Sequence, residues 1–254
     1  VYKHNMSADL NPDSVHEQCT AWLNENWNPE LSLREWRERL VDSGWAVPHW
    51  PTQWMGKGLP AWSERTVSLA LNAVGAPGLP TGVGMSLAAP TILEHGSADM
   101  KSRFLRPTLT GEYSWCQLFS EPGAGSDLAS LTTKAVKDGD EYVINGVKQF
   151  ITSGQNGDVA VVIAVTDKGA GKKGMSAFLV PTSAPGYVVA RLEDKLGQHS
   201  SDTAQINFDN CRIPAENLIG QEGEGYKIAL SSLEGGRIGI AAQSLGMARS
   251  ALDV

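Results

Sequence analysis

Near Gly111 the apolar residues of this chain change their spacing from every third or fourth position to every second, and after Pro214 they change back. A helical period cannot be laid out as a strand, nor a strand period close a helical face. The chain is thereby divided into helices, a β region and a helix again. In the first part Ser14 reads as the cap of a helix carrying Val15, Cys19, Trp22 and Leu23. Ser32 caps a second, with Leu33, Trp36, Leu40 and Val41 on one face and Gly44 as its stop. A third spans 61–74 with Leu69 and Ala73 continuing its stripe. Segments 87–94 and 98–105 follow, the latter ended by Pro107.

The β region supplies strands over 112–119, 131–136, 141–144, 147–152, 159–165, 176–180, 187–190 and 204–208. Asn145-Gly146 between apolar runs predicts a tight hairpin. Gly/Asp/Lys turns at short intervals suggest a small antiparallel barrel or sandwich. Beyond residue 224 Ile238, Ala241, Leu245, Ala248 and Leu252 return to helical spacing.

The length of 254 residues suffices for a large core. A net charge of −7 with no basic run argues against a nucleic-acid partner. The longest apolar run, 159–165, is too short to span a bilayer, and the polar start Val1-Tyr2-Lys3-His4-Asn5 has no signal-peptide core. Cys19, Cys116 and Cys211 are scattered and odd in number, which suits a reducing cytoplasm; neither they nor the histidines have metal-ligand spacing, so no metal site is expected. Seven tryptophans fall between Trp22 and Trp62, where they read as core anchors.

Two stretches carry chemistry. Residues 120–127 read Ser-Glu-Pro-Gly-Ala-Gly-Ser-Asp, and 148–154 read Lys-Gln-Phe-Ile-Thr-Ser-Gly. The first can aim backbone N–H groups and the Ser120 and Ser126 hydroxyls at one electron-rich group, with Gly123 and Gly125 permitting close approach. Taken alone it also reads as an acidic surface turn.

Together, 120–127, Asn145-Gly146-x-Lys148 and Phe150-Ile151-Thr152-x-Gly154 resemble the acyl-CoA dehydrogenases. Gly56-x-Gly58-Leu59, Glu94-His95-Gly96, Gly223-x-Gly225-Tyr226 and Gly236-Arg237-Ile238 add to the resemblance. It implies an α+β multi-domain fold: an all-α N-terminal domain (1–111), an antiparallel β-barrel or sandwich middle domain (112–222), and the start of a C-terminal helical bundle (223–254). It also implies that the chain is part of a longer protein. FAD is the implied cofactor, held along Gln117, Leu118, Phe119, Ser120, Gly125 and Ser126, with Phe150 against the ring face and Ile151 and Thr152 beside it. Ser126, Glu234 and Arg237 match positions that meet the CoA ester.

The implied reaction is α,β-desaturation of an acyl-CoA thioester by a carboxylate base and hydride transfer, in fatty-acid or sterol side-chain catabolism. The base is unassigned: one family position is occupied here by Gly236, Glu234 points about 200° away around the helix, and the resemblance implies a base downstream of Val254. The resemblance further implies a homo- or hetero-oligomer and an electron-transfer flavoprotein or similar acceptor. A non-catalytic CoA-binding scaffold and a same-fold flavin oxidase or monooxygenase remain as alternatives. The Trp45–Trp62 and Gly75–Gly84 passages look like those of members acting on bulky or sterol-derived chains.

Overall fold

The computed structural model describes residues 10–253; the polar start at 1–5 and Val254 lie outside them. Contacts group the chain into two units, one reaching to Pro80 with Leu109–Glu112, the other holding Thr81–Thr108 and the residues from Tyr113 on.

In the first unit α1 (Pro12–Asn26), α2 (Leu33–Asp42) and α3 (Ser63–Ala73) enclose Val15, Cys19, Leu23, Trp36, Leu40, Val67 and Ala70. Trp36 is wholly buried, lies 4.7 Å from Trp27 and 5.8 Å from Trp22 between ring centroids, and donates through Nε1 to Pro77 O at 2.6 Å. Trp36, Trp45 and Trp50 act as core anchors, and the Nε1–H groups of Trp27 and Trp36 find carbonyls, whereas Trp62 is exposed. Two sequence expectations fail here. Asn11, not Ser14, caps α1: its Oδ1 accepts Ser14 N at 2.9 Å, while Ser14 Oγ accepts Asn11 N at 3.2 Å, a reciprocal box with Pro12 at the first helical position. Leu69 and Ala73 are exposed, because α3 buries Ser63, Thr66, Val67, Ala70 and Leu71 instead.

The second unit begins with a five-residue π-helical turn, Gly84–Ala88, that leads into α4 (Ala89–His95). Helix α5 (Ala98–Thr110) does not stop at Pro107, which lies inside it. The missing N–H removes one backbone bond, and buried Phe104, Leu105 and Leu109 hold the helix regardless.

The sheet contains β1 (Trp115–Leu118), β2 (Lys134–Asp138), β3 (Glu141–Thr152), β4 (Val159–Val165), β5 (Met175–Pro181), β6 (Tyr187–Leu192), β7 (Thr203–Pro214) and β8 (Leu218–Ile219). Their order is β6-β7-β3-β2-β4-β5-β8, with β1 beside β4. It is mixed, not purely antiparallel: β1 runs parallel to β4, and β2 meets β4 in parallel through Lys134 and Val165. The expected Asn145-Gly146 hairpin is absent, since β3 runs straight through it. The real turn is Gly139-Asp140, between Asp138 and Glu141. Gly146 is needed for another reason: at φ +153 its missing side chain leaves room for Thr133, whose Oγ1 would stand 2.4 Å from a Cβ. A register shift beside it bends β3 against β7. After the sheet comes α6 (Gly225–Leu252), anchored by buried Ile228 and Ala229.

Candidate functional site

Strand β1 ends at Leu118 and delivers the chain to the 120–127 loop. Leu118 and Phe119 are buried in the core, whereas Gln117 and Ser120 are half-buried. The loop closes as a tight turn: Glu121 N donates to Ala124 O at 2.7 Å and Ala124 N returns to Glu121 O at 3.1 Å. Gly123, Gly125, Ser126 and Asp127 stand exposed. A Cβ added at Gly123 or Gly125 would meet nothing within 4 Å, so the space before the loop is open.

Beneath the turn lies an ion pair that the sequence did not announce. Lys148 is completely buried and its Nζ donates to Glu121 Oε1 at 2.9 Å and to Phe119 O at 3.1 Å. The carboxylate is saturated: Oε2 accepts Thr132 N at 2.7 Å and Thr132 Oγ1 at 2.8 Å, and Oε1 accepts Thr133 N at 3.0 Å. Burial alone would raise the Glu121 carboxyl, but the Lys148 ammonium and the hydrogen bonds overcome it and hold it at about 2. Burial draws the Lys148 ammonium down to about 8, against the pull of the Glu121 carboxylate. Both groups are therefore ionised at neutral pH. The two chemistry-bearing stretches are thus joined through these two side chains, which lie 27 positions apart. The one sequence hint was a lysine at an inward position of a β pattern.

Two residues beyond Lys148 the strand bulges. Lys148 faces Ile206 and Ile151 faces Ala204, so Gln149 and Phe150 oppose a single residue of β7. Phe150 takes φ +59, a left-handed angle that a bulky side chain rarely adopts, and the residue is 64% exposed. Gln149 N donates to Ser120 O at 3.0 Å, tying the bulge to the loop again. Thr152 is exposed at the end of β3, while Ile151 is buried in the core. An apolar ring held outward by strained backbone, beside an open loop of glycines and hydroxyls, fits a flat aromatic ligand with a polar edge.

A groove of about 720 Å³ lies within the same unit. Val83, Ser86 and Leu87 of the π-helical turn line one side, Gln117 of β1 contributes, and Gly235, Gly236, Arg237, Gly239 and Ile240 of α6 line the other. The three glycines bare the helix backbone; a Cβ on any of them would meet nothing within 4 Å. Arg237 is therefore brought to the groove together with Gln117. Glu234 is exposed on α6 and does not line the groove. Among the described residues no cluster of metal-binding side chains occurs, and no helix is long and apolar enough to cross a membrane. Cys19, Cys116 and Cys211 are free and buried.

The model of the acyl-CoA dehydrogenase N-terminal domain matches residues 4–112, and that of the middle domain matches 116–211. The mitochondrial short-chain specific acyl-CoA dehydrogenase of Mus musculus is 43% identical over 207 residues, covering 80% of this chain and 50% of its own length. Among solved structures, butyryl-CoA dehydrogenase from Megasphaera elsdenii aligns with a TM-score of 0.70 at 32% identity, over 97% of this chain and 68% of that one. A steroid ACAD variant aligns with a TM-score of 0.71 at 28% identity, over 95% and 66%. The chain spans about half the length of the mouse relative. With both domain models in sequence over most of its length and a relative above 40% identity, the chain belongs to the acyl-CoA dehydrogenases, a family of FAD-dependent flavoproteins.

Proposed function

We propose that this chain carries the flavin wall and part of the substrate groove of an enzyme that desaturates an acyl-CoA thioester between its α and β carbons. The observation that carries the reading is Phe150, exposed at a strained bulge and tied through Gln149 and Lys148 to the 120–127 loop. Bound FAD would supply the hydride acceptor. The main chain of 117–126 and the Ser120 hydroxyl would bind the ring's polar edge, with Phe150 against its face and the Thr152 hydroxyl beside it. Leu118, Phe119 and Ile151 are weaker assignments, since all three are buried in the core and the Phe119 carbonyl already accepts Lys148 Nζ. Gly125 would admit the ligand to the main chain.

Ser126 and Arg237 would hold the CoA portion, the guanidinium meeting phosphate or carbonyl oxygen. Glu234, turned off the groove, is the weakest of the three assignments. The apolar groove would take the acyl chain. Gly236 supplies no carboxylate beside Arg237, so we assign no base within these residues. Division into modules at 111/112 and 222/223 is part of the same reading, as are an oligomeric assembly, an electron-transfer flavoprotein or similar acceptor, and a cytoplasmic setting.

Short-chain esters are the favoured substrates, in keeping with the mouse and Megasphaera relatives. A second reading, bulky or sterol-derived esters, draws on the groove's volume, the absence of side chains at Gly235, Gly236 and Gly239, and the steroid relative. Turnover of straight-chain, branched and sterol side-chain CoA esters by the intact protein decides between them. Ser126→Ala should weaken CoA-ester binding about tenfold, the size of one lost hydrogen bond, while flavin is retained. Loss of flavin with unchanged ester affinity would contradict the assignment.

A further inference from the structure

We propose that Glu121 and Lys148 are positioning residues for the flavin: a buried charged tie that fixes the 120–127 turn and the Phe150 bulge to one another, so that both present their groups to the same ligand. This rests on the flavin reading above. Two ionised side chains are a poor way to stabilise a loop, because a well-packed apolar pair of similar volume does as well or better. What an ion pair with a full set of hydrogen bonds adds is fixed direction.

The geometry shows what is being fixed. Lys148 Nζ grips the chain before the turn at Phe119 O and the turn itself at Glu121. The Glu121 carboxylate grips the chain after the turn at Thr132 and Thr133. Both feet of the loop therefore meet at one buried point, and Gly123, Gly125, Ser126 and Asp127 are left exposed at the tip. The same lysine stands two residues before Phe150, and Gln149 N binds Ser120 O between them. A displacement of Lys148 would move the loop and the ring together. Gln149 Nε2 adds a bond to Glu193 Oε1 at 3.3 Å, steadying the bulge from its other side.

The test uses the intact protein, stripped of flavin and reconstituted with FAD. Glu121→Gln, which keeps shape, is compared with Glu121→Gln/Lys148→Met, which leaves no unpaired buried charge. Dissociation constants for FAD, the resolved shape of the flavin visible band and thermal midpoints are measured for each. The expected result is a dissociation constant raised on the order of tenfold and a blurred flavin band in both variants, the magnitude typical of lost outer-shell supports. The double variant should show this even where its thermal midpoint matches that of the wild type. Folded variants that keep the wild-type dissociation constant and spectrum, with only the midpoint lowered, would overturn this inference alone. A wild-type protein that takes up no FAD would overturn the flavin reading and this inference with it.

Discussion

Phe150 keeps a left-handed backbone that a glycine would adopt freely, and gains nothing from the core in return because the residue is mostly solvent-exposed. Strain of this kind, on the order of 1–3 kcal/mol, persists where the surrounding structure enforces it. Phe150→Gly should therefore leave stability unchanged or raise it by up to about 1 kcal/mol, while weakening FAD binding. Urea unfolding and flavin titration on the same variant check both halves. Gly146 poses the opposite case. Gly146→Ala would put a Cβ against Thr133, with Oγ1 at 2.4 Å and Cα at 2.7 Å, at an angle hostile to any side chain. A loss of about 1–3 kcal/mol in urea unfolding is expected, the usual cost of overpacking. Asn-Gly in the sequence spoke for a hairpin because such pairs favour positive φ. The positive φ is real, but a straight bulged strand uses it, and only the contact with Thr133 distinguishes the two.

At the scale of elements, the Glu121–Lys148 pair links β1's exit loop to β3. Lys148→Met would leave the Glu121 carboxylate buried without its counter-charge, at a cost of about 3–5 kcal/mol, and the doubly neutral variant should recover much of it. The carboxyl sits at about 2 in the folded chain against an ordinary 4.5. A depressed folded value means that its contribution is complete above about pH 4.5 and is lost as pH falls toward 2. Glu121→Gln should thus flatten the acid limb of the stability profile, read from urea midpoints at successive pH values. An unchanged acid limb would contradict the assignment. Helices and strands were legible because the buried faces of α1 and α2 follow the 3.6 spacing, while the continuous apolar runs at 159–165 and 176–180 read as strands buried on both faces. The continuation of α5 through Pro107, the π-helical turn and the parallel pairing of β1 with β4 were not. Each depends on contacts between distant segments that local propensity does not record. The ion pair was hidden for the same reason: a glutamate in a turn and a lysine in a strand are unremarkable until the fold brings them together.

Across the whole molecule, the described part of α6 is apolar on several sides. Ile238, Leu245 and Leu252 are 72%, 71% and 87% exposed. Soluble monomers rarely leave so much contiguous apolar surface bare. The 254-residue chain on its own should self-associate in sedimentation experiments, and Ile238→Glu/Leu245→Glu should suppress it. A monodisperse monomer at all concentrations would show that the helix needs no cover. The two stretches proposed to hold the flavin could be picked out in the sequence because each is short and dense in glycines, hydroxyls or an aromatic. The catalytic base was not, because no carboxylate accompanies Arg237 on the groove side of α6. Under the proposed function, the bulged Phe150 strand and the pinned 120–127 loop would form one wall of a flavin site that oxidises acyl-CoA. Anaerobic titration of the FAD-reconstituted intact protein with acyl-CoA esters tests it most directly. At least one ester should bleach the visible flavin absorbance stoichiometrically, with free CoA giving none. Tightly bound FAD that no ester bleaches would contradict it.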